Sequence, residues 1–354
     1  MTRIRFVDLP RFQTAPAIEQ RLTATLRRLR ARKAGKDDKE PWDLNDDHAL
    51  SYIERAKIRR RADRVAKRQA MRAGIVHLKP DELARIEAVM PDIPLVMAQT
   101  EDWADTVAAQ LHAEMPWMAR ATEHAWHALR LAARRGGPVA MRPVILNGPP
   151  GIGKSVWARR LGQALGLPTV DIDASKGGAG FAVAGVERGF GSSLPGRPLE
   201  VILASRVANP LVIVDEICKA KHAETTSGRR YSFADALLSL LEPATAARWE
   251  CIHFRLSFDM SHVLWVMTAN AVHLAPEPVR SRCALIELRD ITPAELADFA
   301  LRQGSRMGLS DDGIAAIVDV LERAPRVLGR RLSLRDVNRM LERGVLLEER
   351  PRVQ

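Results

Sequence analysis

Cysteine is scarce: Cys218, Cys251 and Cys283 are the only three in 354 residues, and no spacing among them brackets a metal. Neither a disulfide framework nor a zinc site is therefore expected, and buried free thiols are. Long apolar runs are missing too. Nothing approaches the roughly 18–20 residues that cross a bilayer, and residues 1–10 lack the apolar centre of a secretory signal, so a cytoplasmic protein is expected. Internal repeats and low-complexity segments are absent. Beyond residue 75 the chain also has almost no net charge. Residues 1–75 carry 20 lysines and arginines against 10 aspartates and glutamates, so +10 of the total +11 lies in that front segment. The high isoelectric point describes the front segment, not the remainder.

Basic clusters at 27–39 and 55–72 flank an acidic, proline-containing stretch at 37–47, a helix, break, helix pattern. Ile53, Ile58 and Val65 suggest one helical face, but the apolar content is too low for an independent core. Two readings stay open: solvated helices, or a segment that binds nucleic acid or another acidic partner.

Hydrophobic residues at 46% and charged residues at 27% exclude bulk disorder, and the length exceeds one usual core. Residues 80–115 are expected to form two helices broken near Pro91 and Pro94, and 118–134 a third that stops at Gly136-Gly137-Pro138. An extended apolar run, Val144-Ile145-Leu146, follows. The pattern then alternates: helix over 154–165, strand over 169–172, buried strands over 211–214 and 263–267, a helix over 233–241 between them, and a strand over 284–288. From Thr292 onward strands vanish and three amphipathic helices are suggested. The first opens on the capping box Thr292-Pro293-Ala294-Glu295, the others after Ser310 and near Ser333.

Gly148-Pro149-Pro150-Gly151-Ile152-Gly153-Lys154-Ser155 fits the phosphate-binding pattern G-x-x-x-x-G-K-[ST] and lies between a strand and a helix. Its glycines let backbone N–H groups close around phosphate oxygens, and the helix N-terminus adds a favourable dipole. Lys154 brings charge to the β and γ phosphates, and the Ser155 hydroxyl suits Mg²⁺. The apolar strand at 211–214 ends in Asp215-Glu216. Asp215 is the candidate for the magnesium shell and Glu216, pointing the other way from an extended backbone, for the general base. Asn270, just past the strand at 263–267, can bond an attacking water or the γ-phosphate. Arg280 and Arg282 precede a strand, where an arginine can reach a neighbouring subunit's nucleotide. Arg335 lies near the start of the final helix.

In this order the phosphate loop, Asp-Glu strand, strand-end Asn and two arginine positions resemble the AAA+ ATPases. More narrowly, the stretches at 189–197, 214–219, 236–243 and 258–270 resemble the ATPase module of the Lon protease family, over about 115–346. The resemblance implies an α/β fold, a P-loop AAA+ core with a parallel sheet between helices, a C-terminal all-α lid and an N-terminal helical basic extension. The expected domains are 1–75, 76–114, 115–290 and 291–354. It implies ATP and Mg²⁺ as ligands and a hexameric homo-oligomeric ring that unfolds, translocates or remodels a polypeptide. Lys154, Ser155, Asp215 and Glu216 then take the Walker roles, Asn270 that of sensor 1, Arg282 the finger in trans with Arg280 in reserve, and Arg335 sensor 2. Phe190 occupies the aromatic place of the substrate-gripping pore loop, with Gly191 where the family has a bulky partner. The sequence stops at Gln354, soon after the lid, so no peptidase activity is expected of it. Ser281-Arg282-Cys283 departs from the Asp-Arg pattern of the family and resembles clamp loaders, which keeps a DNA-associated ATPase as the alternative. A non-hydrolysing scaffold is a third possibility, and the intact Glu216 argues against it.

Overall fold

A computed structural model describes residues 2–10, 12–33, 50–176, 178–188, 193–220, 223–224, 230–231, 233–327 and 331–349. The chain divides into two compact units, Asp8–Met90 and a second made of Met1–Val7 with Pro91–Gln354.

The first unit holds helices α1 (Ala15–Lys33), α2 (Tyr52–Arg72) and α3 (Pro80–Glu87). α2 starts on a capping box in which the Ser51 hydroxyl and the Glu54 carboxylate satisfy each other's backbone N–H groups. It packs against α1 through a face of Ile58, Ala62 and Val65. Ile53 is not on that face; it is 66% exposed. Phe12, Ile18, Ile75, Ile86 and Val89 are buried in this unit, as is Ala62, and apart from Ala62 these side chains come from residues 12–18 and 75–89, outside the basic runs.

In the second unit, α4 (Glu101–Glu114) and α5 (Ala119–Arg134) pack together ahead of the sheet. The sheet has strands β1 (Val144–Asn147), β2 (Thr169–Asp173), β3 (Leu211–Asp215), β4 (Leu264–Ala269) and β5 (Ala284–Glu287), all parallel, in the order β5-β1-β4-β3-β2. Helices α6 (Lys154–Leu165), α7 (Arg197–Ser205), α8 (Phe233–Leu241) and α9 (Glu277–Arg282) connect these strands. β3 and β4 are continuous apolar runs because both faces are covered, and Trp157 and Trp265 lie fully buried there. Three helices follow, α10 (Pro293–Arg306), α11 (Asp311–Val327) and α12 (Leu334–Glu348), the first and last opened by capping boxes at Thr292 and Ser333.

Register decides where the chemistry gathers. Asn147 lies opposite Ala269, and Asp173 opposite Asp215. The carboxyl ends of β1, β4, β3 and β2 therefore share one rim, the edge at which parallel sheets bind ligands. Three antiparallel pairs fall below any periodicity signal: Trp249–Cys251 with Leu256–Phe258, Arg3–Ile4 with Ile93–Pro94, and Ala223–Glu224 with Arg230–Tyr231. Burial pushes the Cys251 thiol up to about 11 and Cys283 to about 12, whereas Cys218 is only half-buried. Among the described residues no helix is long and apolar enough to cross a membrane.

Candidate active site

The loop from β1 to α6 turns through left-handed backbone at Gly151 (φ 81°) and Gly153 (φ 91°). Side chains are excluded there on space as well. A Cβ at Gly151 would come 2.6 Å from the Ser333 side chain, and one at Gly153 2.6 Å from Met115 Cε. Behind the loop, Ile152 is buried and its carbonyl accepts from the Trp117 indole N–H at 2.8 Å. The loop is thus held from β4, from the segment before α5 and from the lid: the Gly148 N–H donates to Ala269 O at 3.2 Å, and the Leu334 N–H to Gly151 O at 3.2 Å.

Lys154, 7% exposed, begins α6. Its Nζ donates to Gly148 O (2.6 Å), Pro149 O (2.8 Å) and Asn270 Oδ1 (2.8 Å). Burial pulls its ammonium pKa down to about 8. Next to it the Ser155 hydroxyl donates to Asp215 Oδ1 at 2.5 Å, and the Thr268 hydroxyl reaches the same oxygen at 3.1 Å. Thr268 Oγ1 also accepts from the Glu216 N–H at 3.1 Å.

Glu216 differs from expectation. It does not continue the strand but turns left-handed, φ 58° and ψ 45°, so strand alternation does not aim its side chain. Both carboxylate oxygens lie 3.0 Å from Lys219 Nζ.

A cavity of about 760 Å³ opens over this network, lined by Lys154, Asp215, Glu216 and Asn270 from the sheet side and by Phe299 and Arg335 from the lid. Arg280 and Arg282 do not line it. Arg282 Nη1 donates to Pro278 O at 2.9 Å, and its Nε lies 3.5 Å from Glu242. Phe190 lies outside the described residues. Three cavity or network residues carried no sequence motif of their own: Thr268, Lys219 and Arg159, whose guanidinium lies 3.8 Å from Asp215 Oδ2. Only Thr268 had a signal, a hydroxyl inside an otherwise apolar strand where it is 3% exposed.

The donor set fits a polyphosphate: glycine backbone left bare of Cβ atoms, one buried ammonium and the Arg335 guanidinium. For a metal, no cluster of three His, Cys, Asp or Glu exists among the described residues. The Ser155 hydroxyl with the Asp215 carboxylate suits Mg²⁺, which binds through one or two protein oxygens and takes the rest from water and phosphate.

Residues 144–290, β1 through the end of β5, match the model of the ATPase family associated with various cellular activities (AAA). This segment is an AAA domain. The chain is 31% identical over 217 residues to Lon protease homolog 2, peroxisomal, of Spinacia oleracea, a match covering 60% of this chain and 24% of that protein. It is 28% identical over 316 residues to Lon protease 4 of Sorangium cellulosum, covering 79% and 38%. The chain therefore spans about a quarter to two fifths of the length of these relatives. Among solved structures, the closed state of Hsp104 with ATPγS and FITC-casein superposes with a TM-score of 0.53, 12% identity and coverage of 81% of this chain and 51% of that one, which establishes a common fold. The matched segment is similar to nucleotide-binding ATPases of this family, and the chain as a whole is similar to part of the Lon proteases. The family-model match ends at residue 290, before Arg335, which was expected at the site from the resemblance and lines the cavity from the lid.

Proposed function

We propose that the chain hydrolyses MgATP in a homo-oligomeric, hexameric ring and uses the cycle to unfold, translocate or remodel a polypeptide. The observation that carries this reading is the convergence of Lys154, Ser155, Asp215, Thr268 and Asn270 into one hydrogen-bonded network on the floor of a cavity that the lid closes with Arg335.

In this reading the backbone N–H groups of the loop 148–153 cradle the phosphates, and Lys154 exchanges its two carbonyl partners for phosphate oxygens while Asn270 Oδ1 keeps it aimed. Mg²⁺, when bound, supplies charge neutralisation between the β and γ phosphates. Ser155 and Asp215 would hold it. Glu216 takes the proton of the attacking water, which requires its carboxylate to leave Lys219. Arg335 bonds the phosphates from the lid, so lid position depends on nucleotide state. Arg282 serves a neighbour's γ-phosphate, with Arg280 as the reserve; such arginines are worth about 10³ to 10⁵ in rate. Phe190 grips the polypeptide in the pore.

The test is to assemble the Glu216→Gln chain with ATP and identify what copurifies. Recovery of polypeptide, with ATP bound but not turned over, supports the reading. Turnover equal to wild type removes Glu216 from its role, and an assembly that retains no polypeptide contradicts the remodelling function.

A further inference from the structure

The unit Asp8–Met90 has no part in the nucleotide chemistry, yet it carries the strongest charge segregation in the molecule. Helix α2 contains nine lysines and arginines against two acids, Glu54 and Asp63. Five of the nine, Lys57, Arg61, Arg64, Arg68 and Arg72, follow one another at intervals of four, three, four and four residues. On a helix of 3.6 residues per turn these spacings return to the same side, so the five form one stripe roughly 22 Å long. All five are solvent-exposed, and none makes an ion pair with another described residue. Both acids avoid the length of the stripe. Glu54 sits in the first turn, committed to the Ser51 cap and paired with Arg30, and Asp63 points elsewhere on the helix. About a quarter turn away, Ile58, Ala62 and Val65 pack on α1, and Gln69 accepts from the Gln13 N–H at 2.8 Å. That packing fixes which side of α2 faces outward.

Unpaired like charges in a row repel one another, and no counter-charge within the described residues relieves them. A polyanion of regular spacing would. The chemistry of the stripe separates the available polyanions. A membrane-surface helix buries exposed apolar side chains between its cations; here Ile58, Ala62 and Val65 face α1, and only Ile53 and Met71, at opposite ends of the helix, flank the stripe. Single-stranded nucleic acid is held by stacking on aromatics; α2 has one aromatic, Tyr52, at its first residue. A straight cationic helix suits the wide major groove of B-form DNA, while the deep, narrow groove of A-form RNA does not admit it.

We propose that the α2 stripe is a docking surface for the phosphate backbone of double-stranded DNA, independent of base sequence. The binding is electrostatic and needs no nucleotide, so its test is separate from that of the ATPase reading.

The experiment is fluorescence anisotropy of the whole chain with a labelled DNA duplex of mixed sequence, across a salt series. Five phosphate contacts give a slope of log affinity against log salt of roughly −4.5, a loss of about 500-fold between ~50 and ~200 mM. Replacing Arg61→Gln, Arg64→Gln and Arg68→Gln together should reduce that slope to roughly −2. The same three positions changed to lysine should keep the wild-type slope, which separates charge from misfolding, and glutamine preserves helix propensity. A charge-matched control, Arg248→Gln, Arg323→Gln and Arg343→Gln, exposed in the other unit, should bind as wild type. The proposal is overturned if the control weakens binding as much as the stripe variant, or if the stripe variant keeps the full slope. It is overturned equally if polyglutamate, phosphatidylserine vesicles or duplex RNA displaces the DNA at equal charge concentration.

Discussion

At the scale of single residues the site depends on a few groups whose states follow from burial. Lys154 is held near a pKa of about 8 instead of 10.5 because its ammonium is desolvated. Between those values the folded chain binds fewer protons than the unfolded one, so this group's contribution to stability rises with pH across that window, and below about 8 the cost of the buried charge is fully present. Nucleotide affinity runs the other way. Only the ammonium pairs with phosphate, so in a fluorescent-ATP titration affinity should fall above pH 8, by up to about tenfold per pH unit, and Lys154→Met should lose both the affinity and its pH dependence. Thr268 offers a second test. Its hydroxyl serves Asp215 and the Glu216 N–H at once, so Thr268→Val strands a buried donor. Urea unfolding should show about 1–3 kcal/mol of lost stability, and turnover should drop while ATP still binds. Lys154, Ser155, Asp215 and Asn270 were legible in sequence because a motif or a strand end marks each. Lys219 was not, and neither was the direction of Glu216, because a left-handed turn after a strand leaves no trace in residue type when glycine is not used.

At the scale of elements, the buried strands and the lid helices were readable for physical reasons that differ. β3 and β4 are apolar except for Asp215 and Thr268 because a parallel sheet is covered on both faces, and the lid helices announce themselves by their caps. Thr292→Ala removes the acceptor for the Glu295 N–H and should cost about 0.5–2 kcal/mol in urea unfolding, with the lid loosening before the sheet. What sequence did not disclose is pairing. The two-residue strand Arg3–Ile4 is tied to Ile93–Pro94, and Phe6 packs on Phe258 with ring centroids 5.3 Å apart. Contacts across such sequence distances carry no local pattern. The core of the front unit escaped notice for a related reason: its apolar residues are contributed by short segments on either side of long charged helices.

At the scale of the whole molecule, the central claim is that the ATP site is completed by a second copy of the chain. Arg282 engages Pro278 O and Glu242 and stays out of the cavity formed by its own subunit. In a head-to-tail ring each subunit's finger acts on the next subunit's nucleotide. Arg282→Ala and Glu216→Gln should therefore each be inactive alone while still binding ATP, the first lacking the arginine for its neighbour, the second lacking its own base. The decisive measurement is ATP turnover of the two variants mixed and co-assembled. An intact base in the Arg282→Ala subunit then meets an intact arginine from its Glu216→Gln neighbour, and with random mixing about a quarter of the sites regain both groups. The account predicts recovery toward about a quarter of the wild-type rate. Turnover no higher than that of the separate variants, in assemblies shown to contain both, would contradict it.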